Sequence, residues 1–313
     1  MLKTLMLLAA VLPLTLAVYI RFFEVSWQLE NLAAFLSVLP IYYASLGIVS
    51  LIARKGLLTV VMILTSLSTL VGINGQRFLQ SEVCESKTLS VLQYNVFYEN
   101  TSLDTLITYV REAKPDLVVL QEVTPKHGEQ LTSLNNLYPY RFGGQRRIGY
   151  PNGLMIMSRS PLYGMNVRTS AAGHSMVNVI WQTRYQRDVF VVAAHPPSPR
   201  SEVLWLERNA LIQDIGSFVE RSPLTFNLVL GDFNLASTTR RFDQTLSDYS
   251  TQPVGSWPLF MKRWGMKSYP VAAIDHLWVK NEDVQHSPIC SRERVKEIQG
   301  SDHAAILTVL NVE

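Results

Sequence analysis

Only two cysteines, Cys84 and Cys290, occur in the 313 residues. Neither has the neighbours of a zinc site or of a catalytic thiol, so sulfur-based metal binding and cysteine nucleophilic catalysis are excluded. The two could pair in an oxidising compartment or remain free thiols. Surplus charge is also missing: 28 Lys and Arg stand against 25 Asp and Glu, a net charge of +3. Proteins that grip long nucleic acid draw most of their affinity from neutralised phosphates and carry a clear basic excess. A nucleic-acid duplex is therefore not the favoured partner. Internal repeats and low-complexity tracts are absent as well, which excludes solenoids and disordered arrays.

Charge is scarcest in residues 1–87, which hold only Lys3, Arg21, Arg54, Lys55, Arg77 and Lys87 against Glu24, Glu30, Glu82 and Glu85. What remains after them is almost neutral and long enough for a sizeable core. Three apolar runs without internal charge, at about 4–20, 32–53 and 57–73, approach the ~20 residues needed to cross a bilayer. A cleaved signal peptide would explain the first run alone, and buried core helices would have to explain three in succession. The expectation is a membrane anchor over 1–80 with three transmembrane helices, a connector at 81–87 and a catalytic domain over 88–313. Lys3 and the Arg54-Lys55 turn, if cytoplasmic, place that domain outside the cytoplasmic membrane.

After the connector, strands and helices alternate. Strands are expected at Leu89–Val96, Asp116–Leu120, Gly153–Met157, Val177–Thr183, Val189–Ala194, Asn227–Leu230, Ile274–Val279 and Ala304–Leu310. Helices are expected at Leu103–Ala113, Lys126–Leu134, Ser201–Glu220 and Thr239–Ser247. Many strands with a few helices between them predict an α/β (α+β) fold in which two packed sheets carry helices outside.

Polar residues recur where the apolar strands stop, the places where a rigid scaffold presents functional groups. They are Asn95, Glu122, His195, Gly231-Asp232-Phe233-Asn234, Asp275-His276 and Ser301-Asp302-His303. Each alone reads as a turn former or cap. Together they form an oxygen-rich set with two histidines, suited to Mg²⁺ or Mn²⁺ rather than to zinc. His276 should face away from its neighbour Asp275 and serve structure. His127 and His174 read as surface or loop residues, and His286 has no evident partner. Arg146-Arg147 and Arg240-Arg241 are either phosphate-binding or solvated. Trp257, Phe260, Trp264 and Tyr269 crowd the stretch before Asp275, as core or as a surface for a lipid or base.

This ordered set resembles the endonuclease/exonuclease/phosphatase superfamily over roughly residues 88–312; Gly-Asp-Phe-Asn and Ser-Asp-His in this order carry most of the likeness. The resemblance implies a four-layered DNase I-like sandwich and hydrolysis of phosphate esters. It implies Glu122 as principal metal ligand, with Asn95 and, through water, Asp302. It makes Asp232 the residue that orients or deprotonates the attacking water, and Asn234 a donor to a phosphoryl oxygen. His303, oriented by Asp275, would contact the phosphate, and either Asp232 or His303 is the base. His195 stands where abasic-site endonucleases carry Tyr, which weighs against a repair enzyme.

The anchor, His195-Pro196-Pro197 with Trp205, and Ser256-Trp257-Pro258 resemble one membrane-bound subgroup, proteins associated with glycopeptide (vancomycin and teicoplanin) resistance. That likeness implies a lipid-linked phosphate or pyrophosphate ester, a polyprenyl pyrophosphate above all. The alternatives are an extracytoplasmic nuclease, a sphingomyelinase-like phospholipase and an inactive membrane scaffold. The complete set of site residues argues against the last.

Overall fold

The structure is a computed structural model and describes residues 2–23, 26–78, 87–259, 269–281 and 288–312. The chain divides into two compact units, one of residues 1–80 with 235–244, the other of 81–234 with 245–313.

The first unit is helical: α1 (Leu2–Phe22), α2 (Trp27–Ala33), α3 (Leu39–Ile52) and α4 (Gly56–Phe78). The apolar run at 32–53 is not one helix. A 3-10 turn over Leu36–Val38 separates α2 from α3, and Pro40, in the first turn of α3, has no N–H to give to the Leu36 carbonyl of that turn. Of the three expected spans, the described residues contain one stretch long and apolar enough to cross a membrane, Trp27–Ile52, with mean hydropathy 1.9. Leu7–Phe22 and Gly56–Gly72 are apolar but shorter. Gly47 lets α3 and α4 approach closely, since a Cβ there would meet Ile63 at 3.3 Å. Tyr42 and Tyr43 donate to the carbonyls of Ala9 and Ala10 at 2.7 and 2.8 Å. Residues 235–244 join this unit through polar contacts. Thr238 Oγ1 donates to the Ala33 carbonyl at 2.5 Å, Arg240 to that of Phe22 at 2.9 Å, and Arg21 to that of Thr239 at 3.2 Å. Arg21 also pairs with Asp243, and Arg241 with the buried Glu30 at 3.2 Å. Arg240 and Arg241 are thus engaged within the protein.

The second unit is a sandwich of two six-stranded mixed sheets. Sheet 1 is ordered β11 (Ile289–Val295), β12 (Ala305–Asn311), β1 (Thr88–Asn95), β2 (Leu117–Gln121), β4 (Met155–Ser158), β3 (Tyr140–Phe142). Sheet 2 is ordered β5 (Leu162–Thr169), β6 (Ser175–Gln182), β7 (Asp188–Ala194), β8 (Phe226–Asp232), β10 (Asp275–Asn281), β9 (Ser250–Thr251). The apolar runs of β2 and β8 are buried along their whole length, as central strands covered on both faces must be. Val91, Val119, Val191, Leu228 and Leu277 meet between the sheets. Leu106 and Val110 of α5 (Asp104–Ala113) and Leu131 of α6 (Pro125–Leu131) cover the outer face of sheet 1. On sheet 2, Phe218 of α7 (Glu202–Val219) lies 5.5 Å from the Phe190 ring. The layers run helix, sheet, sheet, helix.

Four strands escape the sequence reading. β3 and β9 are very short, β5 is an edge strand exposed at most positions, and β11 carries Arg292, Glu293 and Arg294 within its run. The helix expected at 239–247 shrinks to α8 (Arg240–Gln244). Cys290 is disulfide-bonded; the only other cysteine, Cys84, lies outside the described residues, as do His286, Phe260 and Trp264.

Candidate active site

The two sheets end together at one edge of the sandwich, and the polar strand-end residues gather there. β1 and β2 run parallel with Asn95 opposite Gln121, so Asn95 and Glu122 leave sheet 1 side by side. β8 and β10 run antiparallel with Asp232 opposite Asp275, so these two leave sheet 2 as a facing pair. His195 follows β7, the parallel neighbour of β8, and His303 precedes β12.

Close approach at this edge demands unusual backbone. A Cβ on Gly231 would lie 1.8 Å from the Ala194 carbonyl oxygen, so only glycine lets β7 and β8 converge before Asp232. At Gly153, φ +69, a Cβ would come within 2.9 Å of the Glu122 Cα. Phe97, Glu122, Asn152 and Asn234 also have positive φ, between 49 and 67. Such residues cost of order 1–3 kcal/mol each and cluster where geometry serves chemistry.

The side chains form two linked groups. In the first, Asn95 Nδ2 donates to Glu122 Oε1 and to Asp232 Oδ2, both at 3.0 Å. The Tyr98 amide donates to Glu122 Oε2 at 2.9 Å, and His195 Nε2 stands 3.8 Å from Glu122 and 3.7 Å from Asp232. In the second, His303 Nδ1 donates to Asp275 Oδ2 at 2.8 Å while its Nε2 lies 3.6 Å from Asp232 Oδ2. Potential ligand atoms of Glu122, His195 and Asp232 fall within 4.8 Å of one another, as do those of Asp232, Asp275 and His303. The oxygen donors of Glu122 and Asp232 suit a hard divalent cation. The two protons of Asn95 Nδ2 thus bridge these carboxylates by hydrogen bonds. For Asn95 to serve as a ligand, its amide must turn Oδ1 inward, away from the Phe97 amide that it accepts from at 3.0 Å.

Charge follows from this packing. Burial pushes the Asp232 carboxyl up to about 6, against the pull of His303 and His195. Burial opposes protonation of His303 too, but the carboxylates of Asp275 and Asp232 outweigh it and raise the imidazole to about 10. At Asp275 burial is again outweighed, here by His303, and the carboxyl lies below its ordinary range. Near neutral pH the edge therefore holds a charged His303–Asp275 pair beside a carboxylate poised to take up a proton.

Asn234 is held on three sides. Its amide donates to Asp232 Oδ1 at 2.9 Å, its Nδ2 to the Pro196 carbonyl at 3.1 Å, and its carbonyl accepts from buried Arg208 at 2.8 Å. Asp302 is turned aside: its Oδ2 accepts from Trp257 Nε1 at 3.1 Å, and it belongs to neither ligand group. Trp257 is half-buried and Tyr269 exposed. His276 is buried and tilts against the Phe233 and Trp278 rings. His127 is not a surface residue; it is buried and closes a capping box with Thr124 at the start of α6. His174 pairs with Glu207 of α7 at 2.9 Å, and Arg146 and Arg147 are exposed.

Sequence reasoning gave no role to the residues that support these groups. Ser256 Oγ accepts from the Asp275 amide at 3.3 Å, Ser301 Oγ from that of His303 at 3.0 Å, and Asn152 donates to the Ser175 carbonyl at 3.1 Å. A Ser two residues before His303 is the sort of local cap that sequence can show. Ser256 and Asn152 act across distances that it cannot.

A model of the Endonuclease/Exonuclease/phosphatase family matches residues 92–303. No curated protein matches the chain in sequence. Solved structures with the same fold include a humanized TDP2 from D. rerio, with TM-score 0.59, 16% identity, and 72% of this chain and 99% of that one covered. Sphingomyelinase C from Streptomyces griseocarneus aligns with TM-score 0.57 and 16% identity over 72% of this chain and 100% of its own. A mutant beta toxin from Staphylococcus aureus with bound magnesium ions aligns with TM-score 0.56 and 16% identity, over 72% and 100%.

Proposed function

We propose, from the premise that the chain belongs to the Endonuclease/Exonuclease/phosphatase family, that it is a membrane-anchored, Mg²⁺- or Mn²⁺-dependent phosphoesterase acting on a lipid-linked phosphate or pyrophosphate ester. The observation that carries the phosphoesterase reading is the convergence of Asn95, Glu122, Asp232 and the His303–Asp275 pair at one edge of the sandwich.

Asp232, raised to about 6, orients the attacking water through Oδ2 and accepts its proton. His303, protonated through Asp275, presents Nε2 to a phosphoryl oxygen, and His195 presents its own Nε2 from the other side. Asn234, fixed by Asp232 and Pro196, offers the remaining proton of Nδ2 to the same group. Glu122, with Asp232 and Asn95 beside it, would hold the divalent cation; Asp302 would reach it only through water. When bound, that cation neutralises charge on the phosphoryl group and on the leaving oxygen. A buried carboxylate accepting a proton while a fixed imidazolium faces the phosphate is the division of labour that ester hydrolysis requires.

Three observations support the membrane and lipid part of the reading. The first unit exposes Leu7, Leu8, Ile41, Ile52, Leu57 and Val71, apolar surface that water would penalise and a bilayer would not. The disulfide at Cys290 suits an oxidising compartment, in line with a multi-pass inner-membrane protein whose catalytic domain is extracytoplasmic. The near-neutral catalytic sequence lacks the basic excess that nucleic acid favours. Similarity to proteins named sphingomyelinase and TDP2 keeps phospholipid and DNA as the competing substrates. One panel on purified protein with Mg²⁺ decides: phosphate release from a polyprenyl pyrophosphate, against cleavage of plasmid DNA and of sphingomyelin. Rapid plasmid cleavage without phosphate release would leave the phosphoesterase standing and remove its lipid substrate.

A further inference from the structure

Toward the site, the layer between the sheets turns from apolar to polar. Along β1 the alternate residues Val91, Gln93 and Asn95 point the same way: Val91 lies in the core and Asn95 at the carboxylates. Gln93, between them, is 1% exposed, and Arg292 of β11 is 4% exposed. Gln93 Nε2 donates to the Gly231 carbonyl at 2.8 Å. Arg292 Nη2 donates to Gln93 Oε1 at 3.2 Å and to the Asp275 carbonyl at 2.9 Å, and its Nη1 donates to the Gln252 carbonyl at 2.9 Å. Gly231 precedes Asp232, which faces Asp275 across the β8–β10 pair. Two residues of sheet 1 therefore grip the backbone of sheet 2 at both of its acidic positions.

We propose that Arg292 and Gln93 form a cross-sheet clamp that positions Asp232 and Asp275 against Asn95, Glu122 and His303. The proposal rests on the phosphoesterase reading of the same site. Apolar packing between sheets is strong but non-directional, whereas a catalytic constellation must hold within ~0.5 Å. A planar guanidinium fixes direction through its fork of donors and keeps its charge at any working pH. Burying it costs more than an apolar side chain of the same volume, so cohesion alone does not account for it. The clamp bonds backbone carbonyls and its own partner rather than the side chains gathered at the site, so Arg292 and Gln93 are positioning residues.

The test uses the full-length protein and the variants R292M, R292K, Q93M and R292M/Q93M. The first readout needs no substrate: the NMR resonance of the His303 Nδ1 proton in its bond to Asp275, recorded without added metal. The second is kcat and KM on a p-nitrophenyl phosphate ester with Mg²⁺, per folded molecule as measured by thermal melting. The expected result is a ~10- to 100-fold lower kcat in R292M and Q93M, the scale of an ångström-sized misplacement, with KM within about threefold. The double variant should be no worse than the worse single variant, because both break one clamp. R292K should recover part of the loss, and the His303 signal should shift in every variant that loses rate. An unmoved signal with unchanged kcat in folded variants, or losses that multiply in the double variant, would overturn the clamp. If the wild-type protein hydrolysed no ester, the phosphoesterase reading would fall and the resonance alone would decide the clamp.

Discussion

Two buried carboxylates, one at the start of a central strand of sheet 1 and one at the end of a central strand of sheet 2, are treated in opposite ways. Asp116, at the entry to β2, is bonded by Ser90 through both its amide and its hydroxyl at 2.9 Å, and it pairs with Arg184. Asp232, at the exit of β8, shares one amide nitrogen with Glu122, faces Asp275, and has its nearest imidazole nitrogens at 3.6 and 3.7 Å. One end of the sandwich satisfies its acid fully and the other crowds three acids together. The first arrangement serves stability; under the proposed function, the second holds ionisation in reserve for chemistry.

The sharpest way to break this contrast is substitution at Asp232. D232A should lower kcat by at least ~100-fold, the scale of losing a general base or an oriented water. D232N should do the same and yet raise the melting temperature of the metal-free protein, because it removes a carboxylate that burial disfavours. A D232N protein that melts lower than wild type would contradict the picture of a strained acid. Chelation should match the loss at Asp232: activity vanishes with EDTA and returns with Mg²⁺ or Mn²⁺, while D116A keeps this response.

At the other end the effect should be on folding alone. D116A should destabilise by ~1–3 kcal/mol through the polar partners it strands, with kcat per folded molecule within about twofold of wild type. R184A should cost less, about 1 kcal/mol or below, since its pair is partly exposed.

Proton linkage gives the most diagnostic effects. His303 is raised to about 10 from an unfolded value near 6.5, so its stabilisation is complete below pH ~6.5 and is lost as pH rises through about 10. Asp232 is raised to about 6, so its protonated form stabilises the fold below pH ~4 and that contribution disappears as pH rises through about 6. Metal-free melting curves should therefore fall in two steps with rising pH. The upper step should be missing in H303Q and the lower in D232N; an identical profile in all three proteins would refute both assignments. In the rate profile, the acid limb near pH 6 should move lower as Mg²⁺ is raised.

What the sequence made legible follows from how locally each feature is written. β2 and β8 announce themselves through unbroken apolar runs, and their polar last residues point to the site. β5 is hidden because an exposed edge strand needs no apolar alternation, and β11 because Arg292 and its charged neighbours read as a solvated stretch. The same charged run hides the clamp, whose partners lie far away in the chain. Hydropathy along 32–53 registers composition but not the 3-10 break at Leu36–Val38. The burial of His127 is hidden because its role is a backbone cap, which composition does not mark, and the bond between Asp302 and Trp257 is hidden because the two are neighbours only in space.

The union of residues 235–244 with the helical unit bears on how the second unit can be handled by itself. Cutting away residues 1–80 would strip Thr238 of the Ala33 carbonyl, Arg240 of the Phe22 carbonyl and Arg241 of Glu30. Ten residues that begin immediately after Asn234 would then lose the surface that shapes them. A fragment without residues 1–80 therefore needs this stretch redesigned, for example with a short closed turn in its place, rather than a cut at the connector alone.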